Sequence, residues 1–153
     1  MKIALVCDWY RPRVGGIERH LEQLAQHLAR AGHKVTVITP TPGPAEGPNG
    51  VRVIRVPGGR LPVIGLAWTP RTFARVSAEL RRGGFEVVHA HASMISPTAY
   101  AAVRAAFQLK LPTVFTLHSI WGGFRHVMGV LNFMFGWTKW PVVFSAVSAR
   151  AGE

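Results

Sequence analysis

"CDWYRPRVGGIERHLEQLAQHLARAGHKV", residues 7–35, decides the fold. A polar turn carries the paired glycines Gly15 and Gly16, and a helix follows at once. Ile17, Leu21, Leu24, Ala25 and Leu28 recur at helical spacing and form one apolar face. Glu18, Arg19, Glu22, Gln23, Gln26 and Arg30 fall on the other faces, and Gly32 is placed to stop the helix. Just upstream, "KIALVC" (2–7) reads as a short buried strand. Just downstream, "KVTVIT" (34–39) is rich in β-branched residues and reads as a second.

The same alternation continues outward. "PTPGPAEGPNG" (40–50) holds too much Pro and Gly for regular structure, whereas "VRVIRV" (51–56) alternates with period two, as a half-exposed edge strand does. A helix is predicted over 70–82, with Pro70 in its first turn, then a strand at "EVVHAH" (86–91). Ser96 and Pro97 begin a helix over 96–110, and "PTVFTLH" (112–118) and "PVVFSAV" (141–147) supply the last strands. Strands alternating with helices imply right-handed crossovers. The expected fold is a doubly wound, Rossmann-like α/β domain: a mostly parallel sheet of about six strands with helices on both faces. Ligands of such sheets gather at the carboxyl ends of the strands. Asp8, Gly15, Gly16, His89, His91, His118 and Ser119 all follow a strand end, so one mouth collects them.

Size and composition bound the function. The 153 residues fit one domain with a real core, and 48% of them are apolar. Cys7 is the sole cysteine, which excludes a disulfide framework and reads as a buried, reduced thiol. Too few apolar residues precede Asp8 for a signal-peptide core. The most lipid-like stretch, 127–147, is interrupted by Lys139 and Pro141, so the chain is expected to lie on a membrane rather than cross one. A net charge of +11, with fourteen of eighteen cations Arg, suits an anionic bilayer, a polyanion or a phosphate-bearing substrate. A general basic bias would give the same number with no partner at all.

Gly15 and Gly16 ahead of a helix invite an anion, because free backbone N–H groups and the helix dipole point there and no side chain obstructs approach. The turn is neither G-x-G-x-x-G nor a P-loop, and a plain tight turn is the alternative. Asp8, Tyr10, Arg11 and Arg13 decorate it, suited to an acidic or phosphorylated acceptor or simply solvated. His89 and His91 share one face of a strand, but no third or fourth ligand stands at a recognisable spacing, so a metal is set aside. His118 can hydrogen-bond a sugar hydroxyl or polarise a leaving group, or serve as a structural histidine. His20, His27, His33 and His126 need no role beyond helix surface or turn. Two stretches have interfacial character. The helix at 70–82 interleaves Arg71, Arg75, Arg81 and Arg82 with Phe73, Val76 and Leu80, and 121–140 carries Trp121, Trp137 and Trp140. Packing on the core, or a surface left uncovered by a missing partner domain, is the alternative for both, with membrane contact slightly favoured for the Trp segment.

Together, "DWYRPRVGGIERH" with "HLARAGHKVTVIT", then "VVHAHAS", then "PTVFTLHSIWGGF" resemble the N-terminal domain of family 4 retaining glycosyltransferases of the two-domain GT-B fold, over nearly the whole chain. The "HS" of His118–Ser119, followed by an aromatic and "GF", is most similar to the branch that moves N-acetylglucosamine onto phosphatidylinositol; bacterial phosphatidylinositol mannosyltransferases are the next comparison. The resemblance implies transfer from a nucleotide-diphospho-sugar co-substrate to a lipid acceptor hydroxyl, with no cofactor and no required metal. It places Gly15, Gly16 and Ser119 at the donor and His118 at the donor sugar. Asp8, Tyr10, Arg13, His89 and His91 would line the acceptor side. Arg71, Arg75, Arg81, Arg82, Trp121 and Trp137 would hold the enzyme peripherally on the inner, cytoplasmic face of a membrane. Family members continue into a second α/β domain that holds the nucleotide, whereas this chain stops at "AVSARAGE". It is therefore expected to be an acceptor-side domain without its donor-binding half: a fragment, a truncated product, or one half of a split enzyme completed by a separate C-terminal-domain partner, inactive or feeble alone. A different reading is a non-catalytic basic module that docks on membrane or a partner. Nucleic-acid binding ranks below both, because the basic residues are spread over loops and helix faces.

Overall fold

Short apolar runs that cannot bury both faces alone must be sandwiched by helices, and the chain does this. The computed structural model describes residues 1–56, 70–93, 96–118 and 140–147. In order they form β1 (Lys2–Cys7), α1 (Gly16–Arg30), β2 (Lys34–Thr39), β3 (Arg52–Arg55), α2 (Pro70–Gly83), β4 (Val87–Ala92), α3 (Pro97–Gln108), β5 (Thr113–Leu117) and β6 (Val142–Ala146). The strands make one six-stranded sheet, order β3-β2-β1-β4-β5-β6, in which every pairing is parallel. "VRVIRV" is indeed an edge. The Pro/Gly-rich loop is irregular except for a single 3₁₀ turn at Pro48–Gly50.

The chain winds outward from β1 to β3, then crosses back to lay β4 on the other side of β1. The switch point of the sheet is therefore the β1–β4 seam, where such folds open a crevice. Register across it pairs Leu5 with His89 and Cys7 with His91, and His91 in turn with Thr116 of β5.

The pleat divides β1 between two cores. Ile3, Leu5 and Cys7 face α1 and pack with Leu21, Ala25, Val35 and Val37. Ala4 and Val6 face the other way, among Val76 and Leu80 of α2 and Ala99, Ala102 and Ala106 of α3. The alanines let α3 lie close to the sheet. His89 and His91 share the parity of Leu5 and Cys7, so they point to the α1 side. α1 ends where predicted: Gly32 takes φ +83° and its N–H reaches the Ala29 carbonyl at 3.0 Å, as in a helix closed by a left-handed residue. At the far edge, Trp140 stacks flat on Phe107 with centroids 5.4 Å apart, and Val143, Phe144 and Val147 are exposed. Ser119, Trp121 and Trp137 lie outside the described residues. No helix among those described is long and apolar enough to cross a membrane.

Candidate functional site

Four imidazoles meet at the mouth. His91, at the end of β4, is 1% exposed, and its Nδ1 stands 3.0 Å from Nε2 of His118, the residue after β5. His118 is held there by its own backbone N–H, which donates to the Ala92 carbonyl at 2.9 Å and extends the β4–β5 ladder by one residue. His89 lies beside His91 with ring centroids 4.0 Å apart; its Nε2 contacts Thr116 Oγ1 at 2.7 Å, and Thr116 contacts Ser145 Oγ at 2.6 Å. His20 of α1 closes the group from above, its ring 5.2 Å from His118 and 6.0 Å from His91. The sequence alone makes His20 plain helix surface. The signal that could have found it is geometric: it follows Gly16 by one turn, and helical side chains lean toward the amino end.

Burial lowers the pKa of His118, with His20 adding to it, to about 4. Burial also brings His89 to about 4, and His91, further opposed by its histidine neighbours, to about 2. At neutral pH all three are uncharged. Each can donate one hydrogen bond and accept another but does not supply a positive charge.

Gly15 and Gly16 differ sharply. Gly15 caps α1 in extended backbone, and a Cβ there would collide with the Glu18 carboxylate folded beneath it. A Cβ on Gly16 would meet nothing within 4 Å. Glu18, assigned to a polar face by its spacing, is instead buried, its Oε1 3.0 Å from Arg13 Nε, while the Arg13 guanidinium lies 4.0 Å from the centre of the Trp9 ring. The helix dipole favours an anion here, and Glu18 is the one supplied by the chain. Only the Gly16 side of the turn is open.

Asp8 and Tyr10, expected to line the acceptor side, are both buried. Asp8, the chain's only aspartate, accepts the N–H of Thr98 at 3.0 Å and of Ala99 at 3.3 Å, closing the amino end of α3. Burial raises its carboxyl to about 6 against the opposing pull of those bonds. Tyr10 is 1% exposed; its N–H donates to Thr41 Oγ1, whose hydroxyl donates to the Asp8 carbonyl. Arg55 ties the neighbouring loops together: Nε donates to the Pro44 carbonyl at 3.0 Å, and Nη1 to the Arg11 and Thr41 carbonyls at 2.8 Å each. Arg11 itself pairs with Glu22 at 3.0 Å. Cys7 is fully buried and burial pushes its thiol well above the ordinary range, so it is inert.

The arginines of α2 lie elsewhere. Val76 and Leu80 point into the core, while Arg71, Arg75, Arg81 and Arg82 are exposed. Arg75 pairs with Glu79 at 2.9 Å one turn on.

A parallel sheet opened at its switch point, with a glycine-started helix and neutral imidazoles at the rim, defines a Rossmann-like α/β domain with its candidate site at the carboxyl ends of the strands. A solved glycosyltransferase from Rickettsia africae shares the fold, with TM-score 0.53 at 11% identity over 94% of this chain and 42% of that one. The family model of Glycosyltransferase Family 4 matches residues 14–151, and the chain belongs to that family. It is 32% identical over 148 residues to a phosphatidylinositol N-acetylglucosaminyltransferase subunit of Arabidopsis thaliana, covering 87% of this chain and 32% of the relative. To the subunit of the same name from Homo sapiens it is 35% identical over 138 residues, covering 85% of this chain and 28% of the relative. The chain thus spans about a third of the length of these relatives.

Proposed function

We propose that this chain is the acceptor-side domain of a glycosyltransferase that moves a sugar from a nucleotide-diphospho-sugar to a lipid acceptor, with phosphatidylinositol the acceptor that the names of its relatives carry. In that reaction the acceptor oxygen bonds to the anomeric carbon, the bond from that carbon to the diphosphate breaks, and the acceptor proton leaves with the nucleoside diphosphate. A second domain holds the nucleotide, and the cleft between the two supplies the orientation that such chemistry needs.

One observation carries the reading: the turn of α1 that exposes Gly16 also brings His20 to within 5.2 Å, ring to ring, of His118. An open amino end for phosphate oxygens and a neutral imidazole for a sugar hydroxyl therefore face one space. With a pKa near 4, about one His118 in a thousand is protonated at pH 7, so its part is to position the donor sugar through a hydrogen bond rather than to deliver a proton. Asp8 and Tyr10 act on the acceptor only through the wall they stiffen; His89 and His91 form the floor. The exposed arginines of α2 hold the domain against anionic headgroups on the inner face of the membrane. They are screened by salt, as surface charges are.

The test uses the chain joined to its second domain, with labelled nucleotide-diphospho-N-acetylglucosamine and phosphatidylinositol vesicles. His118→Ala is expected to reduce turnover by about a hundredfold or more while leaving the melting temperature nearly unchanged. Equal losses of turnover and stability would make His118 structural and remove the reading.

A further inference from the structure

We propose that His20, His91 and His118 together bind one divalent transition-metal ion of zinc type at the mouth of the sheet. One ring nitrogen from each lies within 4.8 Å of the others, and the His91–His118 pair is at 3.0 Å. Tetrahedral zinc with Zn–N of about 2.0–2.1 Å holds its nitrogens about 3.3–3.4 Å apart. Side-chain adjustments of about an ångström convert one arrangement into the other. A hydrogen bond now joins these two nitrogens; on ligation the donor ring keeps its proton on its other nitrogen, and the cation takes the place of the hydrogen bond.

The donor set selects the ion. Three imidazoles without a carboxylate suit zinc, copper or nickel and reject magnesium and calcium, which need oxygen ligands. His91 Nε2 is buried with no hydrogen-bond partner among the described residues, so the side-chain bond that ligation exchanges is the one to His118. Behind it, the His89 ring lies tilted against His91 with centroids 4.0 Å apart and is itself held by Thr116, which limits how far the His91 ring can turn. His20 is exposed, which leaves the remaining coordination position open to water. The ligands come from α1, the end of β4 and the residue after β5, so binding clamps the helix to the sheet.

No glycosyl transfer is needed to test this. The full chain, stripped with EDTA, is titrated with Zn²⁺ calorimetrically and with Co²⁺ by visible absorption. The expected result is one equivalent bound, tetrahedral cobalt bands, a rise in melting temperature with Zn²⁺ and no response to Mg²⁺. His20→Ala and His118→Ala should each weaken Zn²⁺ binding by at least about tenfold and abolish the thermal shift, the scale on which even outer partners of metal sites act. His20 is a surface residue, so its variant keeps the test valid if the other misfolds. Absence of binding, or affinity unchanged in His20→Ala, overturns the site. So does loss in His33→Ala instead, which would place the ion at the terminal amine, 3.3 Å from His33 Nδ1.

Discussion

Two helices, α1 and α3, present their amino ends to the same mouth, yet they are finished differently. α3 is closed from a distance: the Asp8 carboxylate, ninety residues earlier, takes the Thr98 and Ala99 N–H groups in a buried setting. α1 has no side-chain cap: Glu18 of its own first turn lies against Gly15, paired with exposed Arg13, and Gly16 is left bare. The first arrangement is permanent structure. The second is a short-range ion pair at the rim, one partner of which is exposed. A dipole at a helix end does not by itself mark a ligand site; what already occupies it decides.

The comparison can be broken most severely at α3. Asp8→Ala leaves two buried N–H groups without an acceptor and should cost about 3 kcal/mol in urea unfolding, whereas Asp8→Asn, which keeps one oxygen, should cost about 1 kcal/mol. A loss below about 1 kcal/mol for the alanine variant would mean that Asp8 is not the closing group. Next in size is a pH effect. The folded carboxyl titrates near 6 and the unfolded one near 3.8, so the folded state binds more protons between these values. Stability from this group is full below about pH 4, falls as pH rises and is gone above about pH 6. The fall is no more than about 3 kcal/mol. Asp8→Asn should flatten that slope; an unchanged slope would assign it to another group.

At α1 the effects are smaller. Gly15→Ala forces the Glu18 carboxylate aside and should cost about 1 kcal/mol, while Gly16→Ala, which meets open space, should leave stability within about 0.5 kcal/mol. If the two cost the same, the asymmetry of the turn is not real in solution. Gly16→Val in the enzyme joined to its second domain should nonetheless weaken binding of the nucleotide sugar, with the fold intact by circular dichroism. Smallest of all, Glu18→Gln removes a charge from the helix end for about 0.5 kcal/mol of stability and should tighten inorganic pyrophosphate binding several-fold. Unchanged pyrophosphate affinity would mean that the turn does not take anions.

Much of this architecture is legible in the residues. The helix period after Gly16, the β-branched runs and the Pro/Gly punctuation identify the elements and the parallel sheet, because each depends on neighbours in sequence. The β3 edge is visible in its alternation. The mouth is legible only as a set of strand ends. Its inner relations depend on register, which no local pattern fixes: Cys7, His91 and Thr116 fall in one row only once β1, β4 and β5 are paired. His20 is invisible to local patterns because its partners lie on other elements, and the same dispersal hides a set of metal-binding geometry behind the local pair His89 and His91. Asp8 has the look of a substrate ligand, as any lone carboxylate after a strand does, until α3 is seen to need it.

Arg55 gives the rim a mechanical character. One planar cation gathers the carbonyls of Pro44, Arg11 and Thr41, and so welds the turn that precedes α1 to the long Pro-rich excursion after β2. Lysine carries the same charge but lacks the flat, multi-pronged geometry for three such grips. Stiffness in this part of the rim is therefore set by one side chain of the edge strand β3, a clamp already closed in the folded chain.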